Sequence, residues 1–145
     1  MVQTINGLNA DQVFRLYDYL VIYEESGIQN YKSTQRLLKE HPELSKLTTL
    51  SSKIVCKNTK SIDINKIDPN RLNNEIYLTI NKGNLLLSFL AHLRNSIAHG
   101  NVVAHEDFIL VSDRNPSKSI DFTARGRIKF ALINEISSIL KGIVL

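Results

Sequence analysis

The chain has 145 residues and a mass of 16.4 kDa, a size that favours one domain around one hydrophobic core. It is 43% apolar and 22% charged, as soluble proteins usually are. Its lone Cys56 cannot close an internal disulfide, and no apolar run approaches the roughly 20 residues that span a bilayer, so a disulfide scaffold and a transmembrane helix are both excluded.

In chain order, Asn9-Ala10-Asp11-Gln12 reads as a helix start, with Asn9 as the cap and Gln12 reaching back to it. Val13, Leu16, Tyr17, Leu20 and Val21 then recur at three- and four-residue spacing as one apolar face, and Gly27 supplies a stop. A short helix is expected from Thr34 to Glu40, broken at His41-Pro42, and another from Glu43 to about Lys53. Residues 57–69 read as a polar loop in which Ile62 and Ile64 alternate as a short strand would. A long helix is expected from about Asn70 to Ala98, striped by Ile76, Ile80, Leu86, Leu87, Leu90, Leu93 and Ile97. Gly83 interrupts it and Gly100 ends it. Val102-Val103 and Phe108–Val111 are β-rich, Asp113–Ser117 has turn chemistry, and Ser119–Phe122 alternates, which together read as a hairpin. Thr123 then caps a last helix that turns Ile128, Leu132, Ile136, Ile139, Leu140 and Ile143 inward. The expected fold class is mainly α: residues 1–145 as a single up-and-down helical bundle with a small β-hairpin before the C-terminal helix.

The net charge of +4 is distributed unevenly: −3 over residues 1–30, +5 over 31–60, −2 over 61–113, +4 over 114–129 and zero beyond. Two basic blocks flanking an acidic middle suit a polyanionic partner such as RNA, although a solvated surface has the same pattern. Met1–Asn6 lacks both the basic and the apolar region of a signal peptide, so the expectation is a cytoplasmic protein that does not associate with membranes.

The stretch that can carry chemistry is Leu93-Arg94-Asn95-Ser96-Ile97-Ala98-His99-Gly100. Ser88, His92, Asn95, Ser96 and His99 make a polar stripe on an otherwise apolar helix. Such a stripe must find partners, line a cleft or meet another subunit. An arginine can grip a scissile phosphate bidentately, a histidine can move a proton near neutral pH, and Asn95 can orient either one. This is a kit for RNA cleavage that needs no metal. Arg94 and His99 are five residues apart, about 140° around an ideal helix, so serving one site requires a long reach, a distorted helix end or a second chain. Alternatively, Arg94 and Asn95 are ordinary helix-end polar residues and His99 is a C-terminal cap.

Arg94-Asn95-x-x-x-His99, closing an apolar helix in a small helical domain, resembles the R-x4–6-H motif of the HEPN superfamily, in which the residue after the arginine is often asparagine. The residue 102–122 hairpin resembles HEPN subgroups of bacterial defence and plasmid-borne loci. The resemblance implies a metal-independent endoribonuclease of toxin or antiviral-defence type, without a cofactor, with Arg94 and His99 catalytic and Asn95 supporting them. It also implies a homodimer whose two motifs face each other across a composite cleft, which offers a way round the 140° separation. Some relatives are silenced by a partner nucleotidyltransferase that modifies a tyrosine two residues after the motif histidine. Asn101 stands there in this chain, which leaves open another antitoxin or none. The alternative of a different class is a non-catalytic HEPN domain that binds RNA or a partner protein. A third is a purely structural helical dimer.

Other candidates carry less. Four histidines and one cysteine leave little room for a four-ligand zinc site, and His105-Glu106-Asp107 reads as exposed loop rather than metal ligands. Cys56 has no activating neighbour in sequence, and Tyr17, Tyr19, Tyr23 and Tyr31 read as core or interface packing. The six glycines are scattered singly, without a phosphate-cradling loop.

Overall fold

The first helix, α1 (Ala10–Ser26), starts and stops where its capping chemistry requires. Asn9 Oδ1 accepts from the Gln12 amide at 2.8 Å, Gln12 Oε1 accepts from the Asn9 amide at 3.0 Å, and Gly27 closes the helix at φ 69°. Its buried face is Leu16, Tyr19, Ile22 and Tyr23. Val13, Tyr17 and Val21, expected on one apolar face with Leu16 and Leu20, instead join Phe14 in a second apolar stripe open to solvent. Ser33 caps α2 (Thr34–Glu40) by accepting from the Arg36 amide at 3.1 Å, and His41-Pro42 ends it as expected, with a 3-10 turn over Pro42–Leu44. The computed structural model describes residues 7–46, 55–58, 63–80, 85–114 and 121–143. The helix expected beyond Lys46, Gly83 and the turn and strand expected over 115–120 lie outside the described residues.

The helical-bundle expectation is overturned by a five-stranded sheet: β1 (Val55–Asn58), β2 (Glu75–Leu78), β3 (Val102–His105), β4 (Phe108–Asp113) and β5 (Ala124–Lys129), ordered β1-β2-β5-β4-β3. Every neighbouring pair is antiparallel except β1 with β2. Two further α-helices, α3 (Leu85–Ala98) and α4 (Phe130–Lys141), and 3-10 turns at Ile28–Asn30, Ile64–Lys66 and Pro69–Arg71 complete the described elements. The fold is therefore α+β: α3 packs on β4 and β2, and α1 bridges α3 and α4.

Each misreading has a local cause. Ile76 and Ile80 are four apart, a spacing that both helix and strand periods allow; Leu78, buried with Ile76, shows that the period is two. In β5, Ala124, Gly126 and Ile128 face inward while Arg125, Arg127 and Lys129 alternate outward, so Ile128 belongs to a strand and α4 starts only at Phe130. Thr123 does not cap that helix; its hydroxyl donates to the Asp113 carbonyl at 3.2 Å. The β3–β4 hairpin turns on Glu106-Asp107, with Glu106 at φ 56°, and β4 then pairs antiparallel with β5, so the chain reverses a second time between Asp113 and Ala124. Glutamate is a poor signal for a left-handed turn residue, so the first of these two reversals carries no turn signal in the sequence. The His105-Glu106-Asp107 segment is exposed, as expected.

Register places Ile76, Leu78, Ile109, Val111, Asp113, Val102 and Gly126 on the face that meets α3. A side chain at Gly126 would put its Cβ 2.7 Å from the Glu75 carbonyl oxygen and 2.8 Å from Ile76 Cβ, closer than packed atoms approach. Gly126→Ala is expected to force β2 and β5 apart and to cost about 1–3 kcal/mol, read as a lowered urea midpoint. An unchanged midpoint would refute that contact. Among the described residues no helix is long and apolar enough to cross a membrane.

Candidate active site

The polar stripe of α3 opens onto a cleft of about 630 Å³ where the helix meets the ends of β2 and β4. Arg94, Asn95 and His99 all line it, together with Ser88, His92, Thr79, Asp113 and Arg114. Of the expected stripe only Ser96 turns away: it is buried and its hydroxyl donates back to the His92 carbonyl at 2.8 Å.

His99 reaches the cleft because the helix ends on it. The Gly100 amide donates to the Ile97 carbonyl at 3.1 Å and the Asn101 amide to the Ser96 carbonyl at 2.8 Å, with Gly100 at φ 70°. This Schellman closure makes His99 the C-cap. Its ring is exposed and has no hydrogen-bond partner among the described residues, so both nitrogens can exchange protons with a bound molecule.

His92 is the opposite case. Its Nδ1 lies 2.7 Å from Asp113 Oδ2, and its Nε2 lies 2.8 Å from the Thr79 carbonyl oxygen. With both nitrogens engaged and the side chain 12% exposed, His92 is a structural histidine. Asp113, 5% exposed, also accepts from Asn95 Nδ2 at 3.4 Å. That bond fixes the amide: Nδ2 must face the carboxylate, so Oδ1 faces outward and accepts from Arg94 Nη1 at 3.1 Å. Asn95 is therefore a hinge pin between a buried carboxylate and the guanidinium.

The other side of Arg94 meets α1. Nε and Nη2 lie 3.2 and 3.1 Å from Glu24 Oε1. Arg94 is 35% and Glu24 51% exposed, and a half-exposed ion pair of this kind contributes at most about 1 kcal/mol, so an incoming phosphate can take the place of Glu24. Burial, more than the neighbouring Tyr23 phenol, holds the Tyr19 hydroxyl well above its ordinary range despite the opposing pull of Arg94, and it donates to the Leu90 carbonyl at 3.0 Å. Burial likewise raises Tyr23.

Thr79, Asp113 and Glu24 escaped the sequence reading. One signal for Asp113 was present: it shares period-two phase with Ile109 and Val111, which puts an acid at an inward position that demands a partner. His105 lies on the outer face of the sheet, 3.4 Å from an Arg127 nitrogen and away from the cleft. Among the described residues no three His, Cys, Asp or Glu side chains gather as metal ligands. The side chain of Cys56 lies outside the description.

A family model described as HEPN pEK499 p136 matches residues 14–141, from the second turn of α1 to the end of α4. The chain belongs to the HEPN superfamily. No curated protein and no solved structure matches it. HEPN domains are usually ribonucleases or nucleotide-binding modules of toxin and defence systems. In this HEPN chain the motif arginine is poised between two acceptors and the motif histidine is free at the helix end.

Proposed function

We propose that this HEPN chain is a metal-independent endoribonuclease of toxin or defence type that acts as a homodimer. The observation that carries the reading is the convergence of Arg94, Asn95 and His99 on one cleft, with the His99 ring unpartnered and Arg94 held by an exchangeable carboxylate. In the reaction, the substrate 2′-oxygen attacks the adjacent phosphorus, forming the O2′–P bond and breaking P–O5′. A 2′,3′-cyclic phosphate and a 5′-hydroxyl remain. The Arg94 guanidinium grips the non-bridging oxygens and offsets the charge that builds up on them. His99 exchanges a proton with the 2′-oxygen or the leaving oxygen, and Asn95 keeps the guanidinium aimed.

The dimer reading rests on α1. Phe14 is 67% and Tyr17 64% exposed, and the stripe they form with Val13 and Val21 runs on to Glu24, the ion-pair partner of Arg94. A second copy seated on this stripe would bring the two clefts together. Purified chain is expected to cleave a mixed RNA pool in excess EDTA, leaving cyclic phosphate ends. Phe14→Glu with Tyr17→Glu is expected to give a monomer by light scattering and to lose that cleavage. A folded dimer that binds RNA without cutting it would support the non-catalytic binding domain instead.

A further inference from the structure

The outer face of the sheet carries arginines that have no carboxylate within ion-pair distance among the described residues, although Glu75 stands opposite Arg127 in the register. Arg15, Arg36, Arg71, Arg94 and Lys141 each pair with an aspartate or glutamate. Arg114, Arg125 and Arg127 do not among the described residues; they rest on aromatic rings. Arg125 lies 4.4 Å over the Phe122 ring, Arg114 lies 5.2 Å from the same ring, and Arg127 lies 4.1 Å over Phe108. The Nε atoms of Arg125 and Arg127 have no hydrogen-bond partner among the described residues. Lys129 continues the row on the same face of β5.

A groove of about 510 Å³ crosses this face, lined by Asn101, Val103, Leu110, Arg114, Phe122 and Arg125. Its one lining carboxylate, Asp68, is already paired with Arg71. The groove adjoins the candidate active cleft at Arg114, which lines both, and Asn101 in its lining is two residues beyond His99. We infer that this groove is a track for single-stranded RNA that feeds the His99 cleft, an inference that rests on the ribonuclease reading. Phosphates answer the arginine guanidiniums. Arginine planes stacked on phenylalanine rings are platforms on which unpaired bases lie, whereas duplex bases are already stacked on one another.

The test is anisotropy titration of a labelled single-stranded RNA of about 12 nucleotides onto the full chain carrying His99→Ala, so that the probe stays intact. Val103 is half-exposed on the edge strand, so both signs of charge can be installed there with little strain. Val103→Glu is expected to weaken binding about fivefold and Val103→Lys to tighten it about twofold. Arg125→Gln is expected to lower the slope of log affinity against log salt by about 0.7. Thermal midpoints like that of the parent show that each variant is folded. No binding, equal affinities for the two Val103 variants, an unchanged salt slope, or equal affinity for a duplex of the same sequence would each overturn the track. Cleavage by the His99-intact chain is scored separately. RNA cut but insensitive to groove charge refutes the track and keeps the nuclease; RNA bound through the groove but never cut does the reverse.

Discussion

His99→Ala is expected to lower the rate of RNA cleavage by about 10²–10⁴-fold, the range spanned by a positioned proton-transfer group. Its thermal midpoint is expected to stay within about 2 °C of wild type, because the exposed ring has no hydrogen-bond partner among the described residues and the helix closure runs through the backbone amides of Gly100 and Asn101. Arg94→Lys is expected to lose nearly as much activity as Arg94→Ala. Lysine keeps the charge but not the fork that serves Asn95, Glu24 and a phosphate together. A composite site makes one further demand. If each centre takes its arginine from one protomer and its histidine from the other, mixing the Arg94→Ala and His99→Ala chains regenerates one intact centre per mixed dimer, and activity returns. A site built within one protomer stays silent in the same mixture. A His99→Ala chain that cleaves at the wild-type rate sinks the assignment outright.

Interactions close in sequence were legible, and those between distant residues were not. The caps of α1, the bounds of α2 and the Gly100 closure are written in three- to six-residue patterns, and each stands where the pattern puts it. The sheet was missed because its strands are short and their apolar spacing is ambiguous. Ile76–Ile80 fits two periods, and a glycine between two arginines in β5 hides the fact that Gly126 is the point where two strands touch. The exposed stripe of α1 shows the same limit: periodicity identifies an apolar face without saying whether it packs within one chain. At the site, Arg94, Asn95 and His99 share one helix end and were readable together. Glu24, which pairs with Arg94, Asp113, which accepts from Asn95, and Thr79, which with Asp113 holds the neighbouring His92, come from three other segments, and only the folded chain brings them together.

Those partners account for the second large effect. Asp113→Ala is expected to destabilise the chain by about 2–4 kcal/mol, because it strips a buried hydrogen-bonded partner from His92 and from Asn95 at once. In a chain of this length that is roughly a 5–15 °C fall in thermal midpoint. His92 and Asp113 share one contact, so His92→Leu added to Asp113→Ala is expected to cost less than the two single losses summed. Activity separates a local role from a merely structural one. Below the transition of the variant, Asn95 no longer has a carboxylate to fix its amide, and Arg94 loses the acceptor that aims it. KM for RNA is then expected to change little while kcat falls, since the groove is intact and the positioning of the transition state is not. Asp113→Asn retains the shape and one acceptor oxygen and is expected to fall between wild type and Asp113→Ala in both stability and kcat. Equal melting of wild type and Asp113→Ala would show that the His92–Asp113 contact contributes nothing to the fold. Equal kcat for the two would remove Asn95 as the link between the core and Arg94.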